Sequence, residues 1–247
     1  MKKNIVLTLC AVVIAALCFC GIAAAQEQLK DYPYNPGTSK LFTEDEIGAV
    51  ADLAVKELSD LKVTEIFLVE YAGDPRSLYE LDYANKYAEK PFDDCLVILT
   101  AFRTPDDVDN MTWAGGEDYM WNWTYVRTDG GEWELNNYGF AEVFIESDQY
   151  SVYDMNGGVD VVRYDIGQME GVNQLNISYT SDENSAANLE YINSLDRGKF
   201  DECAVFSAWF MSPKNAYGAW EADTLYNWTW FLGRADKGYW ETVTYGN

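Results

Sequence analysis

The apolar positions beyond residue 40 change rhythm along the chain. Ile47, Val50, Ala54, Leu58 and Leu61 recur at helical spacing behind Thr43 and Glu46, which stand as a capping box. The pattern predicts a helix over 43–61. From Thr64 to Tyr71 the residues turn β-branched and aromatic, which predicts a strand. Asp74-Pro75 then offers a capping residue followed by proline at the first helical position, so a second helix starts there. Strands follow at Cys95 to Arg103, Tyr119 to Arg127 and Glu132 to Tyr138, the last two joined by the turn residues Asp129-Gly130-Gly131.

The same succession returns in the second half of the chain. Phe92-Asp93-Asp94-Cys95 recurs as Phe200-Asp201-Glu202-Cys203, and Asn122-Trp123-Thr124-Tyr125 as Asn227-Trp228-Thr229-Trp230. Trp133-Glu134 and Tyr138-Gly139 return as Trp240-Glu241 and Tyr245-Gly246. Order and spacing persist over too long a stretch for chance, so a tandem duplication is expected, each copy the size of a small domain. In the second copy Ser151 and Asp154 open a helix carrying Met155, Val159, Val162, Ile166 and Met169, although Gly157 and Gly158 weaken it. Gln174 to Tyr179, Cys203 to Met211, Thr224 to Leu232 and Tyr239 to Tyr245 are its strands, and Asp182 takes the cap role of its second helix.

The expected fold class is α+β: two α-β-α-β-β-β roll domains, each with its helices on one face of a mostly antiparallel four-stranded sheet. Residues 41–140 and 150–247 form the domains. Residues 26–40, with Pro33 and Pro36, read as an extended leader and 141–149 as a linker. An acidic strand opening, an Asn-Trp-Thr strand and a Gly-x-Trp-Glu hairpin ending in Tyr-Gly resemble small exported bacterial domains of unknown function. Their layout is similar to the cystatin-like roll of the nuclear transport factor two superfamily. The resemblance implies a fold and no catalytic residues, because that superfamily holds binding, scaffolding and enzymatic members.

Lys2 and Lys3 precede an apolar run from Ile5 that ends in Ala23-Ala24-Ala25 before Gln26. Residues 1–25 therefore read as a signal peptide for export, with an uncleaved membrane anchor as the alternative. The formal charge of −24 opposes binding to phosphate backbones or anionic headgroups, so nucleic acid is not an expected partner and a membrane is one only through an uncleaved segment. Solubility outside the cell accounts for such acidity.

Histidine is absent, which removes Ser-His-Asp and Cys-His nucleophile systems and His-ligated zinc. No cofactor or metal site is expected. Asp93-Asp94 and Asp201-Glu202 are the most regular acids, but neighbours on a strand point to opposite faces and make a poor acid–base pair. Asp106, Asp107, Asp109 and Asn110 form an acidic loop without calcium-loop spacing. Cys95 and Cys203, at equivalent strand starts, either pair in an oxidising compartment or sit as two buried thiols. Four sequons begin at Asn110, Asn122, Asn176 and Asn227.

The aromatic strands are the candidate site. Period-two alternation puts Trp121, Trp123 and Tyr125 on one face, and Tyr226, Trp228 and Trp230 on the equivalent face of the second copy. They are either the sheet's share of the core or the lining of a cavity for a small apolar ligand or a sugar. The expectation is a non-enzymatic module that binds a small molecule or a protein. The alternative is a carboxylate-based hydrolase or isomerase with its site in the roll cavity.

Overall fold

The computed structural model describes residues 32–107, 113–141, 143–216 and 220–246. The chain divides into two compact units between Phe140 and Ala141. In chain order the first unit is β1 (Tyr34–Asn35), α1 (Glu44–Asp60), β2 (Glu65–Tyr71), α2 (Asp74–Asn85), β3 (Asp94–Arg103), β4 (Asp118–Arg127) and β5 (Glu134–Phe140). The second is β6 (Val143–Phe144), α3 (Val152–Gly167), β7 (Asn173–Tyr179), α4 (Asp182–Ser194), β8 (Glu202–Met211), β9 (Leu225–Arg234) and β10 (Glu241–Gly246). The element order is the same in both.

Each unit holds a five-stranded mixed sheet with its strands in sequence order. β1 lies parallel to β2, and β6 to β7, while the other neighbours are antiparallel. A parallel neighbour requires a crossover, and α1 and α3 supply it. The leader and linker thus contribute a fifth strand that their composition hides, since a two-residue strand is too short to show alternation. Ser39 fixes the leader by donating to Asp74 Oδ1 at 2.5 Å while Lys40 N donates to Oδ2 at 2.8 Å. Ser147 and Asp148 do the same to Asp182.

The helices do not share a face. Leu96, Ile98 and Phe102 of β3 pack with Ile47, Val50, Ala54 and Leu58 of α1, whereas Cys95 and Val97, pointing the other way, pack with Ala84 of α2. In the second unit Phe206 and Phe210 meet Met155, Val159 and Val162 of α3, and Cys203 and Val205 meet Ile192 of α4. Both faces of β3 and β8 are therefore covered, which explains their almost continuous apolar sequence. This corrects the expected sheet with one helical face.

The capping box of α1 is present: Thr43 N donates to Glu46 Oε2 at 3.0 Å and Glu46 N to Thr43 Oγ1 at 3.3 Å. Asp74 and Asp182 are instead the first residues of their helices, and the cap positions are Gly73 and Ser181. Their carboxylates are occupied by Tyr71 and Tyr179, whose hydroxyls donate at 2.8 and 2.9 Å. α3 stays continuous through Gly157 and Gly158, and a Cβ on Gly158 would fall 2.7 Å from the Phe206 ring. Glycine there lets the helix settle onto a large side chain. Val50 and Ile98, at the matching positions of the first unit, divide the same space differently.

Among the described residues no helix is long and apolar enough to cross a membrane. The expected signal segment lies outside them.

Candidate functional site

The regular acids hold structure in both units. Asp93 and Asp201 accept from the backbone N–H groups of Asp129 and Asp236 at 2.6 and 3.0 Å, closing the β4–β5 and β9–β10 turns. Asp94 accepts from Arg127 Nε at 2.7 Å, and Glu202 accepts from Arg234 Nε. The same guanidinium groups reach the first turns of α1 and α3, Arg127 to Glu46 and Arg234 to Asp154, each at 2.8 Å. Each also lies 4.3 Å above an indole, Trp133 or Trp240. A hydrogen bond from the Thr43 backbone, then Arg127, holds the Glu46 carboxyl below its ordinary range. The Ser151 hydroxyl, then Arg234, does so for Asp154. Spacing could have revealed these paired nodes: Arg127 and Trp133 return at matching positions of the second copy as Arg234 and Trp240, in a chain with only 17 basic residues.

Cys95 and Cys203 are free, buried thiols. Burial pushes both up to about 12, so neither is a ready nucleophile. Each sits within its own unit as a small buried hydrophobe. Of the acidic loop, Asp109 and Asn110 lie outside the described residues; among those described, no group of three or more acids or cysteines is arranged to hold a metal ion. Of the sequon asparagines, Asn122 and Asn176 are buried, the latter donating to the Ala141 carbonyl, while Asn227 is exposed and Asn110 lies outside the described residues.

The aromatic strands differ between the units. Trp121, Trp123 and Tyr125 are at most 2% exposed and pack against α1. Trp123 Nε1 donates to Thr100 Oγ1 at 2.8 Å. Trp113, from the β3–β4 connection, stacks on Trp121 at 5.1 Å and is itself only 8% exposed. Phe140 meets Trp121 edge-on at 5.8 Å and Tyr119 at 5.7 Å. Three of the expected site residues are thus core, with no open face.

In the second unit Trp230 is fully buried, and its Nε1 donates to Asp165 Oδ2 at 3.2 Å. Tyr226 and Trp228 are only partly buried. Rings continue outward from Trp230 through Tyr245, stacked at 5.2 Å, to Trp228 at 6.0 Å and then to Trp220 at 5.0 Å. By sequence the residue that matches Phe140 is Asn247, which lies outside the described residues.

Trp220 leads into a cleft of about 380 Å³. Two segments line it. Met169, Glu170, Gly171 and Val172 come from the turn between α3 and β7, and Pro213, Asn215, Ala216 and Trp220 from the connection between β8 and β9. Gly171 has φ +74°, and a Cβ on it would stand 3.0 Å from Pro213 Cγ, so glycine allows the two segments their close approach. Glu170 is the one charged side chain among these lining residues, and Asn215 adds an amide. Such a lining, mostly apolar with an indole and two polar groups, can hold one small amphipathic molecule. Trp220 escapes a reading based on strand alternation because it sits on a connection; its signal is that Trp113 occupies the matching position of the first copy.

Compared with protein-family models, with curated proteins and with solved structures, the chain matches none.

Proposed function

We propose that this chain is an exported, non-enzymatic binding protein made of two duplicated domains, of which the second takes a small ligand in the cleft at Trp220. The observation that carries the reading is the ring series Trp230, Tyr245, Trp228, Trp220, which runs from the core to a cleft of about 380 Å³. A ring that is already stacked on one side presents a rigid surface, which lowers the ordering cost of binding. Binding is favoured over carboxylate chemistry because Asp93, Asp94, Asp201 and Glu202 are each committed to a turn or an arginine. In the first domain the matching rings Trp113, Trp121 and Trp123 are buried, and no ligand is assigned to it. Kinship with the cystatin-like roll is part of the proposal and rests on the Trp and Tyr motifs; helices on both faces of the sheet depart from the layout expected of that roll.

Saturation-transfer NMR on residues 26–247 with a mixed panel of neutral sugars, organic ammonium ions and carboxylates tests this. At least one class gives transfer that Trp220→Ala abolishes while circular dichroism is unchanged. An absence of transfer from every class, or transfer indifferent to Trp220→Ala, overturns the reading.

A further inference from the structure

The ligand's charge can be inferred from how this fold handles cations internally. Arg127 lies between two carboxylates, Glu46 and Asp94, and the face of Trp133; Arg234 lies between Asp154 and Glu202 and the face of Trp240. In both places an indole 4.3 Å from the guanidinium carbon and acidic oxygens together balance one positive charge. The cleft offers the same pair of groups, the Trp220 indole and the Glu170 carboxylate. No lysine or arginine is among its described lining residues, and Lys214, between two of them, is exposed.

Resting on the binding reading above, we infer that the cleft takes a small organic cation, a methylated ammonium group whose methyls contact Trp220, Met169 and Pro213 and whose charge faces Glu170. Three features agree. The net charge of −24 attracts cations and repels anions at long range. Methyl groups on nitrogen spread the charge and weaken hydration, so the apolar lining costs such a cation less than it costs a bare ammonium. Met169 adapts its thioether to the ligand's outline. Glu170 is exposed, so its share is modest: removing its charge weakens binding about two- to five-fold. The indole carries more of the contact, and its loss weakens binding about ten-fold.

Saturation-transfer titrations of the chain compare tetramethylammonium chloride with tert-butanol, a neutral molecule of similar outline, and with methyl α-glucoside, at constant ionic strength. Transfer to tetramethylammonium that Trp220→Ala abolishes, Trp220→Phe partly restores and Glu170→Gln reduces, with tert-butanol weaker and indifferent to Glu170→Gln, supports the inference. If tert-butanol or the glucoside binds as well as the cation and depends on Trp220, the binding reading stands and the charge inference is wrong. If tetramethylammonium transfer is indifferent to Trp220→Ala, the cation is collecting on the acidic surface and the inference is wrong. If none of the three binds, the charge inference is wrong, and the binding reading falls with it only when the carboxylates of the wider panel also give no transfer.

Discussion

Asp52 shows what one residue does to stability when burial outweighs its partners. It lies on α1, where burial pushes its carboxyl up to about 6, and its Oδ1 has no hydrogen-bond partner among the described residues. The Tyr34 hydroxyl is similarly buried and without a partner, and burial, then Glu44 and Asp52, pushes it up to about 12. A carboxyl whose folded value exceeds its ordinary 3.8 binds more protons folded than unfolded between about pH 4 and 6. Its contribution to stability is present in full below pH 4 and is lost as pH rises through 6. Asp52→Asn therefore raises stability at pH 7.5, by about 1 kcal/mol once solvent screening is allowed for, and changes little at pH 4. Urea unfolding at the two pH values reads this directly; an equal effect at both would show that burial of the charge is not the cause. Tyr125 carries another buried hydroxyl without a partner among the described residues; strand pairing corrects the motif match by two residues, because Tyr125 pairs with Leu96 and Leu232, not Trp230, pairs with the equivalent Ala204. The second unit avoids that cost with an apolar residue.

At the scale of elements, helix and sheet share a fixed space, and the units divide it in two ways. Gly158 stands where Val50 stands, and Phe206 where Ile98 stands. Helix propensity alone says that Gly158→Ala should gain up to about 1 kcal/mol. Because the added Cβ meets Phe206 at 2.7 Å, overpacking of about 1–3 kcal/mol opposes it, and the variant unfolds at lower urea than the parent. Phe206→Ile combined with Gly158→Ala recovers part of the loss; a stabilised single variant would contradict this packing. The same elements show which signals a sequence carries. The α1 capping box, the strands and the Asp129-Gly130 turn were legible because each rests on local chemistry and a period of a few residues. The two-residue strands β1 and β6 were not, since their place depends on pairing with Val69 and Ile177. The side of the sheet taken by α2 and α4 was hidden too: an apolar strand covered on both faces has no alternation from which to read it. Of the candidate site, the rings were legible, but their burial was not. Whether a tryptophan is core or surface depends on what covers it, and in the first unit the covering ring, Phe140, comes from the next strand.

For the whole molecule, two units of the same topology coexist in one chain with unlike aromatic layers. Trp113, Trp121 and Trp123 are sealed in the first, while Trp220 and Trp228 stay partly accessible in the second. In the second unit the cleft lies between the turn after α3 and the connection after Pro213. The formal charge of −24 favours the approach of cations to the molecule over anions. The account depends above all on this difference in accessibility. Hydroxyl-radical footprinting of the intact protein, read per tryptophan by mass spectrometry, measures it without needing a ligand. Trp220 and Trp228 oxidise faster than Trp113, Trp121, Trp123 and Trp230; equal rates for Trp220 and Trp113, or a slower Trp220, would contradict an open cleft in the second unit.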